Sequence, residues 1–210
     1  MDRYWENVWD APELERYEGY ILRKIKDSFG FLRVFEENHV KKVCDAACGF
    51  GAYSILLSSR GYQVTGFDVA KSAIRLTKAN MQNFGFNADG YIVSDITDIA
   101  FPTGGFDAVV AHAVIDHLPV ASASQAINEL VRIVKDGGLI YLSFDGLEDD
   151  DLSLEHEVLA DGSFRYTDGS RAGLLFKHYQ DEEIKKLLNG RNIIYQETNK
   201  RGERERVIRK

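Results

Sequence analysis

Only two cysteines, Cys44 and Cys48, occur in this chain of 210 residues, and both lie in one short segment. Two thiols without a neighbouring histidine fall short of the four ligands of a structural zinc site, so no metal is expected. A disulfide between them is not expected in a reducing compartment. Cys44 reads as a small buried hydrophobe in a strand, and Cys48 as a packing residue in the turn that follows. The sequence also has no run of about 18 uncharged apolar residues, so nothing in it reads as a membrane span. Its first residues, Met1-Asp-Arg-Tyr-Trp-Glu6, lack the basic-then-apolar layout of a signal peptide, and a cytoplasmic location is the expectation. Positive charge is in deficit: 26 Lys and Arg stand against 33 Asp and Glu, for a net charge of −7. Binding to a phosphate backbone rests on Lys and Arg, so a nucleic-acid partner is disfavoured. No RNA-binding module or basic aromatic platform is recognisable either. The basic tail Lys200–Lys210 is the local exception, and it reads as an edge strand blunted by charge.

What is present is a globular composition with 44% hydrophobic residues, enough for one well-buried domain. Pro12 at a helix start, followed by Leu14, Tyr17, Ile21, Ile25 and Phe29 at spacings of three or four, predicts an N-terminal helix. Residues 1–39 are expected to cap a ligand site, with Tyr4, Trp5 and Trp9 closing over the ligand or stapling the helix to the core. From residue 40 to 210 strands and helices alternate: strand 41–46, helix 52–60, strand 62–67, helix 71–84, strands 90–94 and 106–111, helix 121–135, strand 139–144. Such alternation implies an α/β fold, a mostly parallel sheet with helices on both faces. Residues 145–179 interrupt it with a charged loop over Asp145–Asp151, a hairpin turning at Asp161-Gly162, and a second turn at Asp168-Gly169. A helix from about Gln180 to Leu188 and strands at 192–198 and 204–209 complete the pattern. Val207 and Ile208 are meagre apolar content for an inserted strand.

Between Val43 and Ser54 the chain reads as a short apolar run, an acid, a glycine-rich turn and the start of a helix. Gly49 and Gly51 permit positive φ and let a ligand approach without meeting a Cβ. The helix beyond them points unpaired N–H groups at the turn. A second strand ends on Asp68, where a carboxylate can accept hydrogen bonds from both ribose hydroxyls of a nucleoside. Right-handed crossovers place Asp45, Asp68 and Asp95 along one edge of the sheet, where open α/β sheets bind ligands. Two cofactors compete. Gly49-Phe-Gly51-Ala-Tyr-Ser54 is close to the dinucleotide fingerprint; against it, Asp45 at the strand end would repel a pyrophosphate and suits a cationic sulfonium.

At these residues the sequence resembles the class I S-adenosylmethionine-dependent methyltransferases, through five motifs in order. They are Asp45-Ala-Ala-Cys-Gly-Phe-Gly51, Gly66-Phe-Asp-Val-Ala70, Ile92-Val-Ser-Asp-Ile96, Phe106–Leu118 and Leu130–Leu139. The one departure is Ala47, where the family usually has glycine; this is harmless if φ there is negative. The resemblance implies a Rossmann-like, seven-stranded, mostly parallel sheet with an antiparallel C-terminal hairpin. It implies S-adenosyl-L-methionine as cofactor, with Asp45 and Gly49 near the methionine moiety, Ala46 and Cys48 also in contact with the cofactor, and the backbone around Gly51 helping to complete the pocket. Asp68 would then take the ribose, Val69, Asp95 and Ile96 the adenine, and the backbone of Ala111 would complete the pocket. The 145–179 insertion is where the family builds substrate specificity.

Methyl transfer from a sulfonium is a displacement by an already activated donor, so alignment dominates: about 7–11 kcal/mol is available from it. A general base contributes only when the acceptor must lose a proton, and His117 and His112, after the fourth strand, are the candidates. His178 and Tyr166 are weaker ones. The sequence contains no Asn-Pro-Pro-Tyr after that strand, which disfavours the adenine- or glutamine-amide methylation that uses it. The expected function is methyl transfer to a small-molecule acceptor; a protein or tRNA acceptor, or a non-catalytic cofactor-binding module, are the alternatives. The acceptor and the oligomeric state are not legible.

Overall fold

The computed structural model describes residues 2–10 and 15–210. Pro12 and Leu14, which open the expected N-terminal helix, lie outside the described residues. Three helices precede the first strand: α1 (Asp2–Trp9), α2 (Glu15–Lys26) and α3 (Gly30–Glu37). The sequence reading expects one helix here. Phe29 instead sits in extended backbone at φ −114°, so the chain breaks before α3 and buries Phe31, Leu32 and Phe35 separately.

The alternating region follows as β1 (Lys42–Ala46), α4 (Ala52–Ser59), β2 (Gln63–Asp68), α5 (Lys71–Asn83), β3 (Tyr91–Val93), β4 (Phe106–Ala111), α6 (Val120–Ile133) and β5 (Val134–Phe144). The expected boundary at 139 reflects a bulge: Phe106 pairs with Val134, and the ladder resumes with Ala108 opposite Leu139. Between those pairs Gly137 takes φ 77°. The insertion holds α7 (Asp149–Ser153), β6 (His156–Val158), β7 (Phe164–Tyr166) and β8 (Leu175–Phe176). Thus part of the expected charged loop is helical, because Glu148 and Asp151 form a reciprocal capping box. The last elements are α8 (Asp181–Leu188), β9 (Asn192–Thr198) and β10 (Arg204–Arg209).

The main sheet has seven strands in the order β3-β2-β1-β4-β5-β10-β9, and β6-β7-β8 form a separate small sheet. β1 runs parallel to both β2 and β4, so the strand order reverses at β1. Crossovers leave β1 in opposite directions there, and a crevice opens beyond the carboxyl ends of β1 and β4.

The basic tail is not an edge strand. β10 is antiparallel to both β5 and β9 and lies between them, which leaves β9 at the edge. Val207 and Ile208 are fully buried, and the flanking arginines are engaged by the protein itself. Arg204 donates to the carbonyls of Tyr179 and Asp145, Arg206 to Asp181, and Arg209 to the carbonyl of Gly137. Two apolar residues suffice because arginine stems cover apolar surface while their heads find carbonyl acceptors.

Candidate functional site

The turn from Ala47 to Gly51 is tied to its neighbours at nearly every backbone group. Gly49 N–H donates to Asp68 Oδ2 at 2.9 Å, and Cys48 N–H to the Phe67 carbonyl at 3.0 Å. From α5, Thr77 Oγ1 donates to the Gly49 carbonyl at 2.7 Å and Asn80 Nδ2 to that of Phe50 at 2.8 Å. Gly49 and Gly51 take φ of 54° and 86°. A Cβ on Gly49 would stand 3.0 Å from the Trp9 ring, so the glycine is needed for space as well as for conformation.

Ala47 takes φ 55°, so the condition under which alanine would be harmless there is not met, and Ala113 takes 50°. The left-handed region costs a non-glycine residue about 1–2 kcal/mol, partly offset by the backbone freedom glycine loses on folding. Ala47→Gly is therefore expected to stabilise the protein by roughly 0.5–1 kcal/mol, or about 1–4 °C in a thermal melt. An unchanged or lower melting temperature would contradict strain at this position.

Ala47 and Ala113, with Trp9, form the partition shared by two cavities. The first, about 90 Å³, has Phe67, Val69, Ile96 and Leu118 as apolar walls and Asp68 and Asp95 as its acids. The second, about 240 Å³, is bordered by Asp45, Cys48, Gly49, Tyr20, Tyr53 and His112. An apolar slot with two carboxylates, joined to a second, mostly apolar chamber with one, suits an adenosine and its amino-acid tail. Asp68 Oδ1 accepts from Ala70 N–H at 2.9 Å, and each carboxylate oxygen keeps a lone pair for a hydroxyl. Burial raises the Asp68 pKa, against the pull of the Ala70 and Gly49 amides. Asp95 Oδ1 accepts from both the amide and the hydroxyl of Thr97 at 2.7 Å, which fixes its rotamer.

Asp45 is only 3% exposed, and Ser54 Oγ donates to it at 2.6 Å. Burial pushes its carboxyl up to about 7 even against that hydrogen bond. It is therefore a wall of the second cavity rather than a solvated rim. Ala46, Gly51 and Ala111 do not reach the wall of either cavity: Ala46 and Ala111 are core residues, and Gly51 is the cap of α4 beneath Thr77.

α1 lies across the mouth. Trp5 and Trp9 stack with centroids 6.2 Å apart, and both line the first cavity. The Glu6 carboxylate accepts from the amides of Lys71 (2.8 Å) and Ser72 (3.1 Å) at the positive end of α5, and Asp10 pairs with Arg75 at 2.6 Å.

A third, larger space of about 990 Å³ meets the other two at the histidines: His112 borders it and the second cavity, and His117 borders it and the first. His117 Nδ1 is 2.9 Å from the Leu175 carbonyl, so Nδ1 carries the proton and Nε2 keeps its lone pair. Burial lowers its pKa, favouring the neutral ring. Trp5 approaches it edge-on at 5.4 Å. His112 lies on the Tyr53 ring at 4.3 Å, with Nε2 3.0 Å from Glu203 Oε1. Of the insertion, Arg171, Leu174 and Phe176 line this crevice, while the Tyr166 hydroxyl turns inward to the Asp151 carbonyl. His178 binds the Asp145 carbonyl and Arg204 instead.

Tyr20, Lys24, Tyr53, Glu203 and Glu205 border the site and escape sequence reasoning. A trace was legible for the acids, since Glu203 and Glu205 at i, i+2 share one face of a strand.

Residues 44–142 match the family model described as a methyltransferase domain. The ubiquinone biosynthesis O-methyltransferase of Chromobacterium violaceum is 32% identical over 104 residues, 49% of this chain and 44% of that protein. The chain spans less than half the length of the curated relatives it matches. Among solved structures, a protein of Pyrococcus horikoshii superposes with a TM-score of 0.73 at 20% identity, over 85% of this chain and 86% of that one. A SAM-dependent methyltransferase of Methanosarcina mazei superposes with a TM-score of 0.71 at 23% identity, over 88% and 98%. These likenesses show the fold.

Proposed function

From the match of residues 44–142 to a methyltransferase domain, we propose that the chain is a class I, S-adenosylmethionine-dependent methyltransferase that transfers a methyl group to a small-molecule acceptor held in the 990 Å³ crevice. The observation that carries this reading is the pair of cavities divided by Ala47, Trp9 and Ala113, with Asp68 and Asp95 in one and Asp45 in the other. S-adenosyl-L-methionine, when bound, supplies an activated methyl on a cationic sulfur. Asp68 and Asp95 hold the nucleoside in the apolar slot, with Val69 and Ile96 against its base. Asp45, Cys48 and Gly49 face the amino-acid end. Trp5 and Trp9 exclude water from above, where a low dielectric strengthens each polar contact.

His112 stands at the opening between the donor chamber and the crevice, with Glu203 orienting its ring, and is the group placed to take an acceptor proton. His117, held neutral by burial and the Leu175 carbonyl, closes the wall on the nucleoside side. A protein or tRNA acceptor loses its main support, because the basic tail is consumed as an interior strand.

Ligand-linked thermal shift tests the donor: S-adenosylmethionine and S-adenosylhomocysteine should each raise the melting temperature, and NADH should not. A shift with NADH alone would end this reading. In turnover, His112→Gln should lower kcat by about 10²–10⁴-fold while sparing S-adenosylhomocysteine affinity. An unchanged kcat would remove the base assignment.

A further inference from the structure

At its inner end, where Tyr20 and His112 separate the crevice from the donor chamber, two carboxylates face an aromatic box. Glu203 and Glu205 sit on one face of the chain entering β10, and both line the crevice. Glu205 is 8% exposed, with no Lys, Arg or His nitrogen paired to it among the described residues. Burial and the neighbouring Glu203 charge raise its carboxyl to about 7. Burial works on Glu203 in the same direction, but His112 and Lys24 outweigh it and hold that carboxyl below its usual range. Diagonally across the β5–β10 ladder, the buried Tyr141 hydroxyl stands beside the Glu205 carboxylate and pulls its pKa down against the effect of burial. The box itself already holds a cation: Lys24 Nζ lies 4.6 Å from the Tyr53 ring centroid, 4.9 Å from Phe29 and 5.6 Å from Tyr20. It donates to Tyr53 Oη at 3.0 Å, which leaves two of its three protons free. Three rings around an ammonium form a cation–π site.

We propose that the methyl acceptor is an amine whose nitrogen is held between Glu203 and Glu205, beside His112 and the Tyr20 and Tyr53 rings. This rests on the methyltransferase reading above. The two buried carboxylates share the single Lys24 ammonium, and an incoming ammonium supplies a second positive partner. An alcohol brings no charge, and a carboxylate is repelled by both acids. The acceptor arrives as R–NH₃⁺, with Glu203 and Glu205 as its charge partners, and gives one proton to His112. The freed nitrogen lone pair forms the N–C bond as the C–S bond breaks, and that bond's electron pair stays on sulfur as a neutral thioether. The product leaves as R–NH₂⁺–CH₃, and His112 returns its proton to water.

The test is calorimetry on the full chain saturated with S-adenosylhomocysteine. The probes are 2-phenylethylamine, tyramine and 1,4-diaminobutane, each against the alcohol of the same skeleton, with 3-phenylpropanoate as the anion. At least one amine should bind tenfold or more tighter than its alcohol, and the anion should not bind. Glu203→Gln and Glu205→Gln should each weaken that amine at least tenfold while sparing S-adenosylhomocysteine affinity. Equal binding of amine and alcohol, no amine binding at millimolar concentration, or amine binding that both substitutions spare would overturn the proposal. Should Glu205→Gln fail to fold, the less buried Glu203→Gln and the amine–alcohol comparison on the unaltered protein still decide. If S-adenosylhomocysteine itself does not bind, the methyltransferase reading falls, and the proposal with it.

Discussion

Asp68→Ala is expected to abolish the thermal shift with S-adenosylhomocysteine and to lower the stability of the unliganded protein as well. The two effects have separate causes. The carboxylate accepts from Gly49 N–H at the donor turn and from Ala70 N–H at the start of α5, both at 2.9 Å and both buried. Removing it orphans two amides at about 1–3 kcal/mol each, which lowers the melting temperature by roughly 5–20 °C. It also removes the proposed acceptor for the ribose hydroxyls, the one charged group that β2 brings to the first cavity. Asp68→Asn separates the effects: its carbonyl keeps one amide, its NH₂ opposes the other, and ribose binding suffers while folding is partly spared. A full thermal shift in the alanine variant would remove Asp68 from the donor site. Collapse of the shift with no change in the unliganded melting temperature would show that the two amides find other partners.

The same residue shows why the sequence was informative here. A strand followed by an acid is a local pattern, and the turn that pairs with it is announced by glycines whose backbone conformations leave few alternatives. Alternation and handedness put the carboxyl ends of successive strands, with Asp45, Asp68 and Asp95, along one edge of the sheet, whereas the reversal at β1 is a matter of strand pairing. Local pattern fails where tertiary partners decide. Ala47 carries no mark of its left-handed backbone, because the Phe67 carbonyl and the Asp68 side chain impose the turn from outside. β10 looks too polar for an interior strand until α8 and the carbonyls at Tyr179 and Asp145 supply its arginines with acceptors. Lys24, Tyr53 and Glu203 come from α2, α4 and the chain before β10, so no spacing rule links them. The part of the site around Lys24, Tyr53 and Glu203 is assembled from long-range neighbours, whereas the part around Asp45 and Asp68 is written into consecutive βα units.

Asp45→Asn is expected to make the protein more stable at pH 8 and less able to tell S-adenosylmethionine from S-adenosylhomocysteine. The folded-state pKa of about 7 lies well above the ordinary aspartate value, with burial as the main cause and the Asp68 charge adding to it. A raised acid binds its proton more tightly in the folded state, so the fold loses stability as pH rises from about 4 to about 7. The loss is complete above 7 and amounts to about 4 kcal/mol as an order of magnitude. Asparagine can keep the hydrogen bond from Ser54 but carries no charge, so its stability should be flatter over that range in denaturant titrations at pH 5 and 8. The charge is what a cationic donor would use: a pair about 8 Å apart at an effective dielectric near 20 gains about 2 kcal/mol. Between pH 6 and 8, as Asp45 ionises, the affinity ratio of the sulfonium donor to its neutral thioether product should rise about tenfold. In the asparagine variant that ratio should stay level. A parent ratio independent of pH would mean that the buried acid does not face the sulfur, and its cost to folding would then need another explanation. A pH-dependent ratio lost on substitution would instead make Asp45 the group that draws in the charged donor and releases the uncharged product.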